Sequence, residues 1–165
     1  MEIQHYHFKD NGVIPNNSLP LLVYKFAFPV SDSLADVMEE TFASHNWTNS
    51  WRNGVFPYHH YHSITHEVLG VYSGQAQLHL GGEQGEKIDV EAGDVLVIPA
   101  GVGHKKIAAS ADFGVIGAYP DGKDYDVLTG KEGERPRADE RIAAVPRPET
   151  DPVLGKEGGI AEYWK

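Results

Sequence analysis

The chain contains no cysteine among its 165 residues. A disulfide framework, a thiolate metal ligand and covalent cysteine chemistry are therefore excluded. Long apolar runs are also missing, since no stretch of about 18 apolar residues occurs that would span a bilayer. Charged residues such as Glu2 and Lys9 appear early, where a signal peptide would have its apolar core. We therefore expect a soluble, cytoplasmic protein with no membrane partner.

Basic residues are scarce. Lysine and arginine number 14 against 24 aspartates and glutamates, which gives a formal net charge of −10. A surplus of negative charge argues against nucleic acid or an anionic membrane surface as the main partner. The length fits one domain that is large enough to bury a core. These features favour a small-molecule ligand as the partner.

Histidine, by contrast, is abundant, with nine in the chain. Two segments, GVFPYHHYHSITHEVLGVYSG and GDVLVIPAGVGH, place histidines at regular distances from glycines. The fixed positions of the first are Gly54, His60, His62, Glu67 and Gly74, and those of the second are Gly93, Pro99, Gly101 and His104. Three imidazoles and one carboxylate form a plausible mixed nitrogen and oxygen site. Such ligands suit iron, manganese, nickel, copper or zinc.

The two segments resemble the two conserved motifs of the cupin superfamily. The first fits at every fixed position, and the second departs only at its end, where Ala108 stands in place of asparagine. The resemblance implies an all-β fold, a double-stranded β-helix or jelly-roll barrel. It also implies a homodimer and one divalent transition-metal ion per chain. By resemblance the metal ligands are His60, His62, Glu67 and His104.

The residues themselves support this arrangement. Tyr58 to His62 is rich in aromatic and imidazole side chains and follows Pro57, which predicts a strand. Residues two apart in a strand share a face, so His60 and His62 should point together. Glu67 falls on the next predicted strand, 66–72. A barrel can bring both strands to a distant His104.

Other histidines are predicted to lie outside the metal site. Strand parity turns His59 and His66 away from it, so each should either contact the ligands from behind or lie on the surface. His79 alternates with an apolar set and should point into solvent. His5 and His7 form another His-x-His pair, but no carboxylate or glycine frame follows them, so metal binding there is not expected.

The chain divides into three regions of one predicted domain. Residues 1–45 form an arm, a strand and a helix packed on the barrel, and residues 46–120 form the barrel core, with short strands between glycine turns. Residues 121–165 form an extension with a short helix at 138–145. Seven apolar residues of this extension, Ile142, Val145, Val153, Leu154, Ile160, Tyr163 and Trp164, make it too apolar for a free tail. We expect it to cover the barrel or a second subunit.

Within the N-terminal region, residues 21–28 are predicted to form a strand that ends at Pro29. Residues 31–43 read as a helix with an apolar stripe, for which Ser31 or Ser33 can provide the N-cap. Residues 1–19 read as an arm with turn signals.

Three function classes are compatible with these patterns. The favoured one is a metal-dependent enzyme acting on a small molecule, of the oxygenase, decarboxylase, isomerase or lyase type. The alternatives are a metal-containing binding or sensor module without turnover, and a protein in which the metal only stabilises the barrel. Lys106 shares a predicted strand face with His104 and would bind an anionic ligand, although a surface lysine is the simpler interpretation. Tyr58 and Tyr72 are further possible substrate contacts.

Overall fold

The computed structural model describes residues 1–165, which form nine strands and three short helices. In chain order they are β1 (Glu2–Phe8), β2 (Asn17–Lys25), α1 (Leu34–Ser44), β3 (Trp47–Asn53), β4 (Glu67–Ser73), β5 (Gln75–Leu80), β6 (Glu86–Glu91), β7 (Val95–Ile98), β8 (His104–Ala109), β9 (Gly114–Pro120), α2 (Arg137–Ala144) and α3 (Gly159–Tyr163). No helix has the length and apolar character needed to cross a membrane.

The strands form two antiparallel sheets. The larger sheet has the order β1-β2-β7-β4-β9-β3, and the smaller has the order β6-β5-β8. Most neighbours in the larger sheet, and β5 and β8 in the smaller one, are not consecutive in sequence, as expected when a chain winds repeatedly between two facing sheets. The predicted all-β fold of the cupin type is confirmed.

The six-stranded sheet is buried on both faces. On β2, Leu21 and Val23 point towards the small sheet, whereas Leu22 and Tyr24 point away from it. The outer face is covered by α1, whose Met38 lies so close to β4 that a Cβ on Gly70 would come within 2.7 Å of its sulfur. Two apolar layers therefore hold the large sheet, one inside the barrel and one outside.

The C-terminal segment completes the outer layer. The Trp164 indole is buried there and donates a hydrogen bond to the Pro20 carbonyl at 2.8 Å. Trp47 donates in the same way to the Thr150 carbonyl at 2.9 Å. Each contact joins a buried indole N–H to a backbone carbonyl, so the segment is held by packing and by hydrogen bonds.

A buried carboxylate organises the turn that precedes α3. Asp151 accepts hydrogen bonds from the Tyr24 hydroxyl and from the backbone amides of Val153, Leu154 and Ile160. A buried carboxylate is tolerated only when its oxygens are satisfied in this way. Residues 150–165 are thereby tied to β2.

The structure corrects several predicted boundaries near the N-terminus. Residues 1–19, predicted as an arm with turn signals, contain the strand β1, which pairs with β2. The strand predicted at 21–28 starts earlier and ends at Lys25. The helix predicted from Ser31 begins at Leu34, and Ser33 occupies the N-cap position without a side-chain hydrogen bond. The hydroxyl of Ser33 lies instead 3.3 Å from that of Ser31.

The strand predicted at 58–62 is also wrong. Only two isolated bridges form there, from His60 to His104 and from Tyr61 to Leu128. His60 pairs with β8 and the next residue, Tyr61, pairs with Leu128, so no continuous ladder of backbone hydrogen bonds forms along the segment. Its aromatic side chains have a high β propensity, but they do not make it a strand. The helix predicted at 138–145 is present one residue earlier, as α2.

Candidate metal centre

The chain brings His60, His62, Glu67 and His104 together at one end of the barrel. His60 and His62 come from the loop between β3 and β4, while Glu67 and His104 are the first residues of β4 and β8. All four are buried. The Nε2 atoms of His62 and His104 each lie 3.3 Å from Oε1 of Glu67, and one ligand atom from each imidazole lies within 4.8 Å of the others.

The outer nitrogen of each imidazole is held by a backbone carbonyl. Nδ1 of His60 lies 3.1 Å from the Tyr58 oxygen, and Nδ1 of His104 lies 3.1 Å from the Val102 oxygen. Nδ1 of His62 is hydrogen-bonded to the Asp126 oxygen. A carbonyl can only accept, so each Nδ1 carries a proton, and in the neutral ring Nε2 then presents a lone pair. This is how metal-binding histidines are oriented in proteins.

Burial and proximity shift the acidities of these groups. Burial and the nearby His104 lower the pKa of His60 to about 3. Burial also works to lower the pKa of His62, but the Glu67 carboxylate outweighs it and the pKa of His62 is raised. Burial works to raise the pKa of Glu67, and the two adjacent histidines outweigh it, so Glu67 is held ionised. One carboxylate facing three imidazoles fits a divalent transition metal.

A hydrogen-bonded chain of aromatic residues fixes the carboxylate from behind. The Tyr119 hydroxyl donates to Oε2 of Glu67 at 2.8 Å, and the Trp51 indole donates to the Tyr119 oxygen at 2.7 Å. Trp51 reaches this position because β9 has glycine beneath it: a Cβ on Gly117 would lie 2.2 Å from the indole. Oε1 is thereby left facing the histidines.

Tyr119→Phe should weaken metal binding by about 10–100-fold, the usual effect of losing a group that orients a ligand. The phenyl ring keeps the packing, so the fold should persist. Tyr72→Phe is the matched control, because it removes a tyrosine hydroxyl that makes no side-chain hydrogen bond in this structure. Competition against a chelator measures both affinities, and equal values for the two variants would remove Tyr119 from this role.

A cavity of about 350 Å³ opens beside the four residues. Besides them, its walls comprise Trp51, Arg52, Asn53, Gly54, Val55, Phe56, Pro57, Leu69, Lys106, Tyr119 and Tyr125. Arg52 is engaged by ion pairs to Asp36 and Glu39. The ammonium of Lys106 has no ion pair and is the available cation in the cavity.

The three predicted substrate contacts have different environments. Lys106 lines the cavity. Tyr58 is stacked on Phe56 with ring centroids 5.0 Å apart, outside the lining but near its edge. Tyr72 lies elsewhere, over Gly114, where a Cβ would meet its ring at 2.4 Å.

Two histidine predictions need correction. His79 is not solvated but only 5% exposed, because the loop that carries His59 crosses the outer face of the small sheet and covers it. His66 is not on the surface, and its ring makes its hydrogen bonds to backbone groups rather than to the four side chains. It is buried and bonded to the Ala100 amide and to the Pro146 carbonyl, under Trp164.

Sequence reasoning missed the residues that position the site. Tyr119 and Trp51 are ordinary strand residues by pattern, and Tyr125 and Asp126 lie in a charged, glycine-containing segment. Tyr125 stacks on Tyr119 at 4.8 Å and meets the edge of the His62 ring. In the sequence these residues are marked only by their aromatic or acidic character. Many other residues of the core and the loops have the same character, so it does not single them out.

Comparison with known proteins places these observations among relatives. A cupin domain model matches residues 51–114. The uncharacterized protein YjlB of Bacillus subtilis (strain 168) is 47% identical over 164 residues, which cover 99% of this chain and 97% of that protein.

Solved structures give more distant similarities. A DUF861 family protein from Thermotoga maritima shares 20% identity over 59% of this chain and 96% of its own, with a TM-score of 0.38. Acireductone dioxygenase from Bacillus anthracis, with cadmium in its active centre, shares 16% over 67% of this chain and 79% of its own, with a TM-score of 0.40. Similarities at this level do not bear on the activity of this chain.

Proposed function

The chain belongs to the cupin superfamily, and from that premise we propose that it is a metal-dependent enzyme acting on a small anionic molecule. The single observation that supports the metal is the orientation of three buried imidazoles, each with Nδ1 bonded to a carbonyl. His60, His62, Glu67 and His104 would hold one divalent ion of iron, manganese, nickel, copper or zinc. A bound metal of this kind supplies a Lewis acid or a redox centre.

The cavity residues define what can bind next to that centre. Lys106 offers an unpaired ammonium for a carboxylate or phosphate. Phe56 and Tyr125 are each 45% exposed and form aromatic edges that limit access of water. Tyr119 keeps its proton, since burial and the adjacent Glu67 raise its pKa, and so it positions Glu67 rather than acting as a base.

Lys106→Met tests the substrate class. Loss of one charge-assisted hydrogen bond costs about 1.5–3 kcal/mol, so the metal-loaded variant should bind small carboxylates or inorganic phosphate about 10–100-fold more weakly. Lys105→Met is the matched control, since Lys105 lies on the opposite strand face. Calorimetric titration of both variants gives the affinities, and an unchanged value for Lys106→Met would exclude this anion site.

One observation favours a second candidate, a binding or sensor module without turnover. Apart from the four proposed ligands, the cavity wall contains no histidine and no carboxylate. An imidazole or carboxylate that could act as a general base is therefore absent from it. Tight binding of an anion by the metal-loaded protein, with no conversion over many hours, would favour this candidate over the enzyme.

We also propose a homodimer. β1 lies at an edge of the large sheet, and unpaired edges favour association with a second copy. A mass measured by light scattering that equals one chain at micromolar concentration would refute the dimer.

A further inference from the structure

A second group of metal-binding side chains lies on the outer face of the small sheet. It consists of His59 from the loop that runs beside β8, His79 from β5 and Glu83 from the turn that follows β5. His79 points away from the barrel interior, because its neighbours Leu78 and Leu80 belong to the inner core. The group is therefore separated from the proposed metal centre by the sheet itself.

The three side chains are close enough to share one ion. A ligand atom from each lies within 4.8 Å of the others. The rings of His59 and His79 meet at 67° with centroids 4.8 Å apart, and Nε2 of His59 lies 2.8 Å from Oε1 of Glu83. His79 is almost fully buried, whereas Glu83 is exposed, so an ion can enter from solvent on the Glu83 side.

One nitrogen of this group lacks a partner. Nδ1 of His59 is buried and makes no hydrogen bond, and it is the only buried side-chain nitrogen or oxygen in the chain without one. Nε2 of the same ring faces the Glu83 carboxylate. The two ring nitrogens point to opposite sides of the imidazole, so an ion shared with Glu83 would bind Nε2, and the ring proton would move to Nδ1. The ligand atoms would then be Nε2 of His59, a ring nitrogen of His79 and an oxygen of Glu83.

We propose that His59, His79 and Glu83 form a second metal site for a borderline transition-metal ion such as Zn²⁺. Two imidazoles and one carboxylate are a sufficient set of protein ligands for zinc, with water in the fourth position. Only one oxygen of Glu83 is used by His59, so its other oxygen is available as a ligand.

Two lysines set the strength of this site. Lys87 and Lys105 are the cross-strand neighbours of His79 on β6 and β8. Their positive charges oppose a cation, so the site should bind Zn²⁺ more weakly than the buried centre. It should fill only after the buried centre has been filled.

Occupancy would also affect the barrel interior. His59 precedes His60, and the two side chains lie on opposite sides of the same backbone segment. An ion that ties His59 to β5 would hold that segment in place, and with it the imidazole of His60. The second site would therefore stabilise the first without sharing a ligand with it.

Calorimetric titration of the full-length, metal-free protein with Zn²⁺ tests the proposal. The wild type should show two classes of site. Glu83→Gln changes an exposed side chain, so it should fold, and it should weaken the second class by about 10–100-fold or more while leaving the first unchanged. Glu86→Gln, at an exposed position on the same small sheet, is the matched control and should keep both classes.

Further variants separate this proposal from the buried centre. His104→Ala should remove the tight class and keep the class that depends on Glu83. If the buried centre takes no zinc, the wild type should show a single class of binding site. Loss of that class in Glu83→Gln, together with its retention in His104→Ala, would still support the second site. Two results would overturn the proposal. One is a single class of zinc site that remains in Glu83→Gln, and the other is a second class whose affinity is unchanged in that variant.

Discussion

Replacing Trp164 with alanine should lower the free energy of unfolding by about 3–5 kcal/mol, the usual cost of truncating a buried tryptophan. The indole is 3% exposed, packs on the His66 ring at 4.8 Å and donates its N–H to the Pro20 carbonyl. The substitution leaves a cavity and removes the hydrogen bond to the Pro20 carbonyl on β2. Urea unfolding followed by tryptophan fluorescence or circular dichroism measures the effect.

Leu154→Ala is the matched control in the same segment. Leu154 is 38% exposed, so its truncation should change stability by well under 1 kcal/mol. Deletion of residues 150–165 should lower the melting temperature further than Trp164→Ala alone, because it also removes the hydrogen bonds of Asp151. A Trp164→Ala variant as stable as Leu154→Ala would show that the C-terminal segment does not support the barrel.

Acid should release the metal from the buried centre. Imidazoles bind metal only when neutral, so protons and metal compete. The pKa of His62 is raised by Glu67, so His62 takes up a proton before His60 as pH falls, because the pKa of His60 is lowered to about 3. Protein dialysed at about pH 4 should lose its metal, and protein at about pH 7.5 should keep it.

Acid could also release the metal by unfolding the protein, so unfolding must be measured separately from metal release. Burial lowers the pKa of His60 to about 3 and that of His66 to about 4. Each group is near 6.5 when unfolded, so the unfolded chain binds more protons and stability falls as pH drops from about 6.5 towards those values. Circular dichroism on the dialysed samples tells the two apart. Metal fully retained at about pH 4 by folded protein would contradict a site built on three histidines.

The sequence predicted that His60, His62, Glu67 and His104 would lie together, because the information is local. Two histidines two residues apart point together in any extended segment, and this held for His60 and His62 although the segment is not a strand. Glu67 and His104 lie at the starts of β4 and β8, close to the predicted positions. Lys106 lies on the same face of β8 as His104, as predicted, and lines the cavity.

The predictions that failed depended on what covers a strand. The alternation in β5 correctly turned His79 away from the core, but nothing in that pattern revealed that His59 would lie on top of it. The same limit applies to His66, which is buried by Trp164 from the far end of the chain. The role of Tyr119 follows from its proximity to Glu67, which is set by the pairing of β4 with β9. Long-range packing of this kind leaves no local pattern in a sequence.

Metal content is the most direct test of the central claim. Protein purified without an affinity tag should carry about one transition-metal ion per chain at the buried centre, measured by elemental analysis. The His60→Ala, His104→Ala double variant should lack that ion, with a folded spectrum by circular dichroism as the control. Iron, manganese, nickel or copper would point to redox or isomerase chemistry, and zinc to chemistry without redox. No metal in the wild type, even after reconstitution with each ion, would contradict the account.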